Sequence, residues 1–201
     1  IYAALCSRGY FPKDKLLTLN QFGTDLPSHC DMNHTPGIDM TTGSLGQGFS
    51  CAVGVAVASR IKGDGATIYT IIGDGESQEG QIWEAAMFAS QKKLSNLIAF
   101  TDYNKLQIDG TVEDINSLED VAARWTAFGF QTYRIDGHDC DRIIRTVEQA
   151  KRGGDRPTMI ILDTVKGKGV SFIEAAGMGN HNMPLPDDAF EQAMAELSQE
   201  V

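Results

Sequence analysis

Alternation is the feature that most limits what this chain can become. Four short runs rich in β-branched residues, Thr67 to Ile72, Asn96 to Thr101, Gln131 to Ile135 and Thr158 to Val165, are separated by stretches with helical spacing. Runs of that length and composition read as buried strands, because a strand wetted on one face alternates polar with apolar residues. Between them, Gln81 to Lys92 sets Trp83, Ala86 and Met87 on one stripe. Val121 to Phe128 and Arg142 to Lys151 carry apolar residues at comparable spacing, with Asp139 as N-cap of the latter. Strand and helix in turn, joined by short connections, imply parallel strands linked by right-handed crossovers. The expected fold is therefore α/β: a three-layer, open, mostly parallel sheet with helices on both faces. Ligands of such sheets sit beyond the carboxyl ends of the strands.

No repeat, low-complexity tract or Pro/Ser-rich linker divides the 201 residues, so one domain, 1–201, is expected. A formal charge of -10, with 17 basic residues dispersed among 27 acids, argues against a nucleic-acid partner, which demands clustered Lys and Arg. Any phosphate ligand must be held locally. Cys6, Cys30, Cys51 and Cys140 form no C-x-x-C pair and read as reduced thiols. No apolar stretch reaches the roughly 18 residues that span a bilayer, and Ile1 to Arg8 lacks the regions of a signal peptide. The expectation is a cytoplasmic protein without a membrane partner. Because Tyr2-Ala3-Ala4-Leu5 reads as the interior of a helix already under way, a native segment upstream of Ile1 is expected too.

Ser44 to Arg60 reads as a helix of another kind. Gly46, Gly48, Ala52, Gly54, Ala56 and Ala58 put small residues on several sides, and each glycine weakens a helix by about 1 kcal/mol relative to alanine. Close packing is the compensation, either in a core or against a phosphate or a second subunit.

The strongest chemical signal is Gly73-Asp74-Gly75, directly after the apolar run Ile68 to Ile72, followed at the end of the next run by Asp102-Tyr103-Asn104. If the intervening helix is a single crossover, the two strands are neighbours and Asp74 and Asn104 lie side by side at the sheet's carboxyl edge. One carboxylate and one amide oxygen are too few for Ca2+. They suit Mg2+, which binds through one or two protein groups plus phosphate oxygens and water, so a diphosphate is implied. The glycines allow positive φ and leave backbone N–H groups unobstructed for an anion. Gly-Asp-Gly alone is also good turn chemistry, and its place after a buried strand is what raises it above a turn.

Thr41-Thr42-Gly43-Ser44-Leu45-Gly46-Gln47-Gly48, then Gly73-Asp74-Gly75-Glu76-Ser77-Gln78-Glu79-Gly80, then Asp102-Tyr103-Asn104-Lys105-Leu106-Gln107-Ile108-Asp109-Gly110 resemble, in order and spacing, the diphosphate-binding domain of transketolases. The likeness runs from about Tyr2 to the carboxyl end and is greatest to the amino-terminal subunit of split, two-chain bacterial enzymes. It implies thiamine diphosphate and Mg2+ as cofactors. Asp74, Asn104 and the Leu106 carbonyl are then the metal ligands, Gly75 gives an N–H to the diphosphate, and Gly43, Ser44 and Leu45 line the aminopyrimidine and thiazolium. It further implies that His29 stands near the substrate's hydroxyls and that His181 touches both diphosphate and substrate. Ser28-His29-Cys30 departs from the family's Gly-His-Pro, and His181-Asn182 from its His-Gly. His34 and His138 read as surface or packing residues. Glu79 is either a charge favouring the following helix or the family's acid between cofactors. Lys166-Gly167-Lys168-Gly169 reads as a solvated turn with no site.

The resemblance implies transfer of a two-carbon ketol unit from a ketose phosphate to an aldose phosphate. In this family the glutamate that polarises the aminopyrimidine and the clamp for the sugar phosphate lie on a pyrimidine-binding domain absent from this sequence. A pyrimidine-domain partner chain is therefore expected, with self-association into a heterotetramer. Alternatives within the chemistry are a sulfo-sugar or branched-sugar-phosphate transketolase subunit, or a relative of deoxyxylulose-phosphate synthase. Outside it, a non-catalytic cofactor-binding scaffold is the alternative. A dinucleotide enzyme would need G-x-G-x-x-G directly after a strand, and Gly46-Gln47-Gly48 follows none.

Overall fold

The computed structural model describes residues 1–198, which fall into two compact units, Ile1–Gly48 and the chain from Phe49 onward. The first unit begins with α1 (Tyr2–Ser7) and a 3-10 turn, Lys13–Thr18. The rest of it is loop, in which Phe11, Leu26, Thr35 and Ile38 are buried. Side-chain to backbone bonds stand in for a ladder: the Tyr2 hydroxyl donates to the Pro27 carbonyl and the Thr35 hydroxyl to that of Asp25.

Helix α2 (Gln47–Lys62) leads into the second unit. It starts at Gln47 and not, as the small-residue pattern suggests, at Ser44, since Gly46 sits at φ +81, where a right-handed turn cannot continue. There follow β1 (Ile68–Gly73), α3 (Gly80–Gln91), β2 (Leu97–Tyr103), a hairpin of β3 (Leu106–Gln107) and β4 (Gly110–Thr111), α4 (Val112–Asn116), α5 (Val121–Ala127), β5 (Gln131–Asp136), α6 (Cys140–Arg152), β6 (Thr158–Asp163), α7 (Ser171–Ala175) and α8 (Asp187–Leu197). Asp139 caps α6 as expected, accepting the Arg142 N–H at 2.8 Å.

The four long strands pair in parallel, in the order β1-β2-β6-β5, apart from the small antiparallel hairpin. Alternation along the central strands divides the apolar residues between two layers. Leu97, Ala99, Met159 and Ile161 join the core formed with Phe49, Val53 and Ala56 of α2, Ile82, Ala86 and Ala89 of α3, and Trp125 of α5. Ile98, Phe100, Ile160 and Ile135 join a second core with Ile143, Val147 and Ala150 of α6. This is the expected three-layer α/β architecture. The Trp125 ring anchors the first core, 5.7 Å from Phe49 and 4.9 Å from both Trp83 and Phe130.

Two local expectations are corrected. Only β2 and β6 are buried throughout most of their length; β1 and β5 are the edges, and Tyr69 and Ile71 of β1 are 47% and 71% exposed. On α3 the buried stripe is Ile82, Ala86 and Ala89 with Trp83 beside it, whereas Met87 is 55% exposed.

Edge strand β5 is tied to β6 by charge. Arg134 donates two hydrogen bonds to Asp163, at 2.8 and 2.7 Å, and lies 5.1 Å from the Tyr103 ring. Those bonds hold the Asp163 carboxyl below its usual range, partly opposed by burial and reinforced by the guanidinium charge. A depressed carboxyl pKa adds stability that is present above the unfolded value of about 4 and is lost as pH falls through the folded one. With side chains 42% and 38% exposed, the pair contributes under about 1 kcal/mol. Asp163→Asn is expected to lower the melting temperature slightly at pH 7 and to flatten its decline below about pH 4, read by a circular-dichroism melt at each pH.

Candidate functional site

The β1–β2 register matches Gly73 with Asp102. The ladder continues one step further, for the Asp74 N–H donates to the Asp102 carbonyl at 3.2 Å. Asp74 and Asn104 thus stand at neighbouring strand tips on the carboxyl edge of the sheet. The turn beyond β2 folds back on Asp74. Lys105 takes φ +67, a left-handed conformation uncommon outside glycine, and its N–H donates to Asp74 Oδ2 at 2.5 Å. Asp74 Oδ1 accepts the Gly75 N–H at 2.8 Å, and Asn104 Oδ1 accepts the Leu106 N–H at 3.0 Å.

Asp74 is only 2% exposed. Burial pushes its carboxyl above the usual range, against the pull of the Lys105 and Gly75 N–H groups and with a small push from Asp102. Among the described residues no Lys, Arg or His forms an ion pair with it. A buried carboxylate without a cation is costly, and each of its oxygens keeps a lone pair beyond the one used. One carboxylate, one amide oxygen and a backbone carbonyl at a strand-tip turn fit a hard divalent cation that takes its remaining ligands from phosphate and water. Among the described residues there is no group of three or more His, Cys, Asp and Glu side chains suited to a metal, as in an all-protein cage.

Gly-Asp-Gly does not use the positive φ that its glycines allow. Gly75 lies at φ -59, ψ -39, and Gly73 is not among the positive-φ glycines. Space is the reason for glycine at 75: a Cβ there would lie 2.8 Å from Gln107 Oε1 and 3.1 Å from Gln107 Cβ.

Within the first unit, Gly43 does need its freedom. It sits at φ +133, and a Cβ would stand 2.6 Å from His29 Cδ2, so the predicted residues His29 and Gly43 are in contact. Ser44 accepts the Gln47 side-chain amide at 3.1 Å, and Leu45 is 54% exposed.

His181 caps the 3-10 turn Gly177–Asn180, which packs beside β3 and so near Leu106. Its Nδ1 lies 3.1 Å from Lys166 Nζ. An ammonium can only donate, so Nδ1 accepts and neutral His181 carries its hydrogen on Nε2. Lys166 lies in the turn after β6, as expected, and that turn meets the His181 ring. His138 has a structural bond, its Nε2 accepting the Val165 N–H at 2.8 Å. Glu79 is exposed at the N-cap of α3 without a side-chain cap bond.

The family model described as "Transketolase, thiamine diphosphate binding domain" matches residues 1–200. The chain belongs to this family. Over 200 residues this transketolase-family chain is 59% identical to the 6-deoxy-6-sulfo-D-fructose transketolase subunit SqwG of Clostridium sp. (strain MSTE9), covering 100% of itself and 72% of that relative. It is 39% identical over 201 residues to an apulose-4-phosphate transketolase subunit of Phocaeicola vulgatus, covering 100% of itself and 71% of that protein. The fold superimposes on a transketolase variant from Pichia stipitis with a TM-score of 0.89 at 31% identity, covering 98% of this chain and 31% of that one. The chain thus spans about a third of the solved transketolases it matches. No helix among the described residues is long and apolar enough to cross a membrane.

Two substitutions test this turn. Gly75→Ala suits the backbone angles but sets a Cβ 2.8 Å from Gln107 Oε1 and 3.1 Å from Gln107 Cβ, so a loss of about 1 to 2 kcal/mol is expected as Gln107 gives way, read by a thermal melt. Asp74→Ala is expected to weaken Mg2+-dependent binding of thiamine diphosphate by at least about 100-fold, read as loss of the cofactor-induced rise in melting temperature.

Proposed function

We propose that this chain is the diphosphate-binding subunit of a two-chain, Mg2+-dependent transketolase. The observation that supports it most is the buried, cation-free carboxylate of Asp74 at the strand tip beside Asn104. In this reading Asp74, Asn104 and the Leu106 carbonyl hold Mg2+. The Gly75 backbone lies beside the diphosphate, its N–H held by Asp74, and the Nε2–H of His181 donates to a diphosphate oxygen; Lys166 keeps His181 in that tautomer, and its positive charge offsets the anion. Gly43, Ser44 and Leu45 line the aminopyrimidine and thiazolium, and His29, seated against Gly43, faces substrate hydroxyls. Thiamine diphosphate, when bound, supplies the carbanion chemistry, while the protein binds, orients and excludes water.

The reaction is movement of a two-carbon ketol unit from a ketose carrying a terminal anion to an aldose phosphate. The acid that polarises the aminopyrimidine and the cationic clamp for the terminal anion come from a pyrimidine-domain partner. The assembly is a heterotetramer, two copies of each chain, in the cytoplasm. For the donor, the 59% identity to a 6-deoxy-6-sulfofructose transketolase subunit favours a sulfo-sugar over apulose 4-phosphate, where identity is 39%.

Reconstitution tests this directly. The purified chain mixed with its pyrimidine-domain partner, Mg2+ and thiamine diphosphate is expected to release aldose from 6-deoxy-6-sulfofructose, and neither chain alone should do so. Full activity from this chain by itself would remove the need for a partner. Chelating the metal should abolish turnover and cofactor binding together, and magnesium should restore both.

A further inference from the structure

A cavity of about 500 Å3 opens within the first unit, with Asn20, Phe22, His29, Asp31, His34 and Thr41 in its wall. That is an ordinary size for a small-molecule site. Its polar groups are arranged in pairs. Asp31 Oδ2 lies 3.1 Å from His34 Nδ1, while Asp31 Oδ1 accepts the Asn33 N–H at 2.8 Å and the Thr41 hydroxyl at 3.3 Å. The carboxyl is held below its usual range, first by the Asn33 N–H and, against some burial, by the His34 imidazole beside it. An ionised Asp31 fixes the proton of neutral His34 on Nδ1, which leaves Nε2 as an acceptor. The His34 side chain is 63% exposed, so a ligand can reach that nitrogen. Phe22 is wholly exposed and adds an apolar face to the wall.

The ligand class follows from this lining. Among the described residues no Lys or Arg lines the cavity, so it is not built for a phosphate or sulfonate. Imidazole, carboxylate, amide and hydroxyl groups around one aromatic face suit a neutral chain that carries hydroxyls on one side and C–H groups on the other. We propose that this cavity receives the hydroxylated carbon chain of the donor sugar, and that His34, oriented by Asp31, is a specificity-determining residue accepting a donor hydroxyl. The assignment rests on the transketolase reading above and adds to it a contact that the sequence left as a surface histidine.

The test uses the reconstituted two-chain enzyme and two donors. One is a long-chain ketose, fructose 6-phosphate or 6-deoxy-6-sulfofructose, whichever the wild-type pair turns over; the other is hydroxypyruvate, which has no hydroxylated chain beyond the unit transferred. His34→Ala is expected to raise KM for the ketose about five- to tenfold, the worth of one hydrogen bond, with kcat within about twofold and KM for hydroxypyruvate unchanged. His34→Gln, whose amide oxygen can accept, should recover part of the loss. An equal change for both donors, or none for the ketose, overturns the assignment. A wild-type pair inert toward every donor overturns the transketolase reading, and this assignment falls with it.

Discussion

The parallel register of β1 on β2 is the constraint from which the site follows. With Gly73 opposite Asp102, the last ladder bond falls on the Asp74 N–H, and the chain can leave the sheet only after Asp74 is committed to the edge. The turn after β2 then closes over it with a left-handed Lys105, and both carboxylate oxygens accept backbone N–H groups. A backbone conformation that is unfavourable for lysine persists because the ladder on one side and the β3–β4 hairpin on the other determine it. The geometry holds the Asp74 carboxyl in place, 2% exposed. Preorganisation of that kind suits the metal–diphosphate role proposed for it, since the cost of ordering the side chains is met on folding.

Packing around the sheet serves the same end. The two central strands are apolar on both faces because helices cover both, and their tips are therefore rigidly placed. Thr164 donates to Asp102, and Arg134 bridges to Asp163, so the polar residues just past the strand ends are held by one another. The second unit is thus an apolar slab with a polar, hydrogen-bonded rim at its carboxyl edge. The first unit is built differently. With little regular structure, it relies on side chains such as Asp31 and Thr35 to satisfy backbone groups that a ladder would otherwise satisfy.

Much of this was legible from residues alone. The alternation of β-branched runs with helical spacing led to the parallel three-layer sheet, because burial on both faces leaves a compositional mark that short-range reading can detect. Asp74 and Asn104 were legible as partners because one crossover between them forces their strands together. Asp139 was legible as a cap because capping is local. The misreadings were of a single kind. Ser44 as a helix start and Met87 as a core residue were each inferred from local preference and overridden by the structure. The contact of Lys166 with His181 was not legible, because the fold and not any spacing brings the two together.

Sequence by itself determined the class of fold, the family and the residue types offered at the strand tips, since these depend on periodicity and on the order of motifs along the chain. Tertiary structure alone decided which strands are edges, which backbone N–H groups Asp74 accepts, why residue 75 must be glycine, and that Asp31, His34 and His29 share one cavity. The physical reason is range. Periodicity and capping act over a few residues, whereas a desolvated charge, a close approach or a paired imidazole depends on atoms that the chain brings together only after its layers have packed.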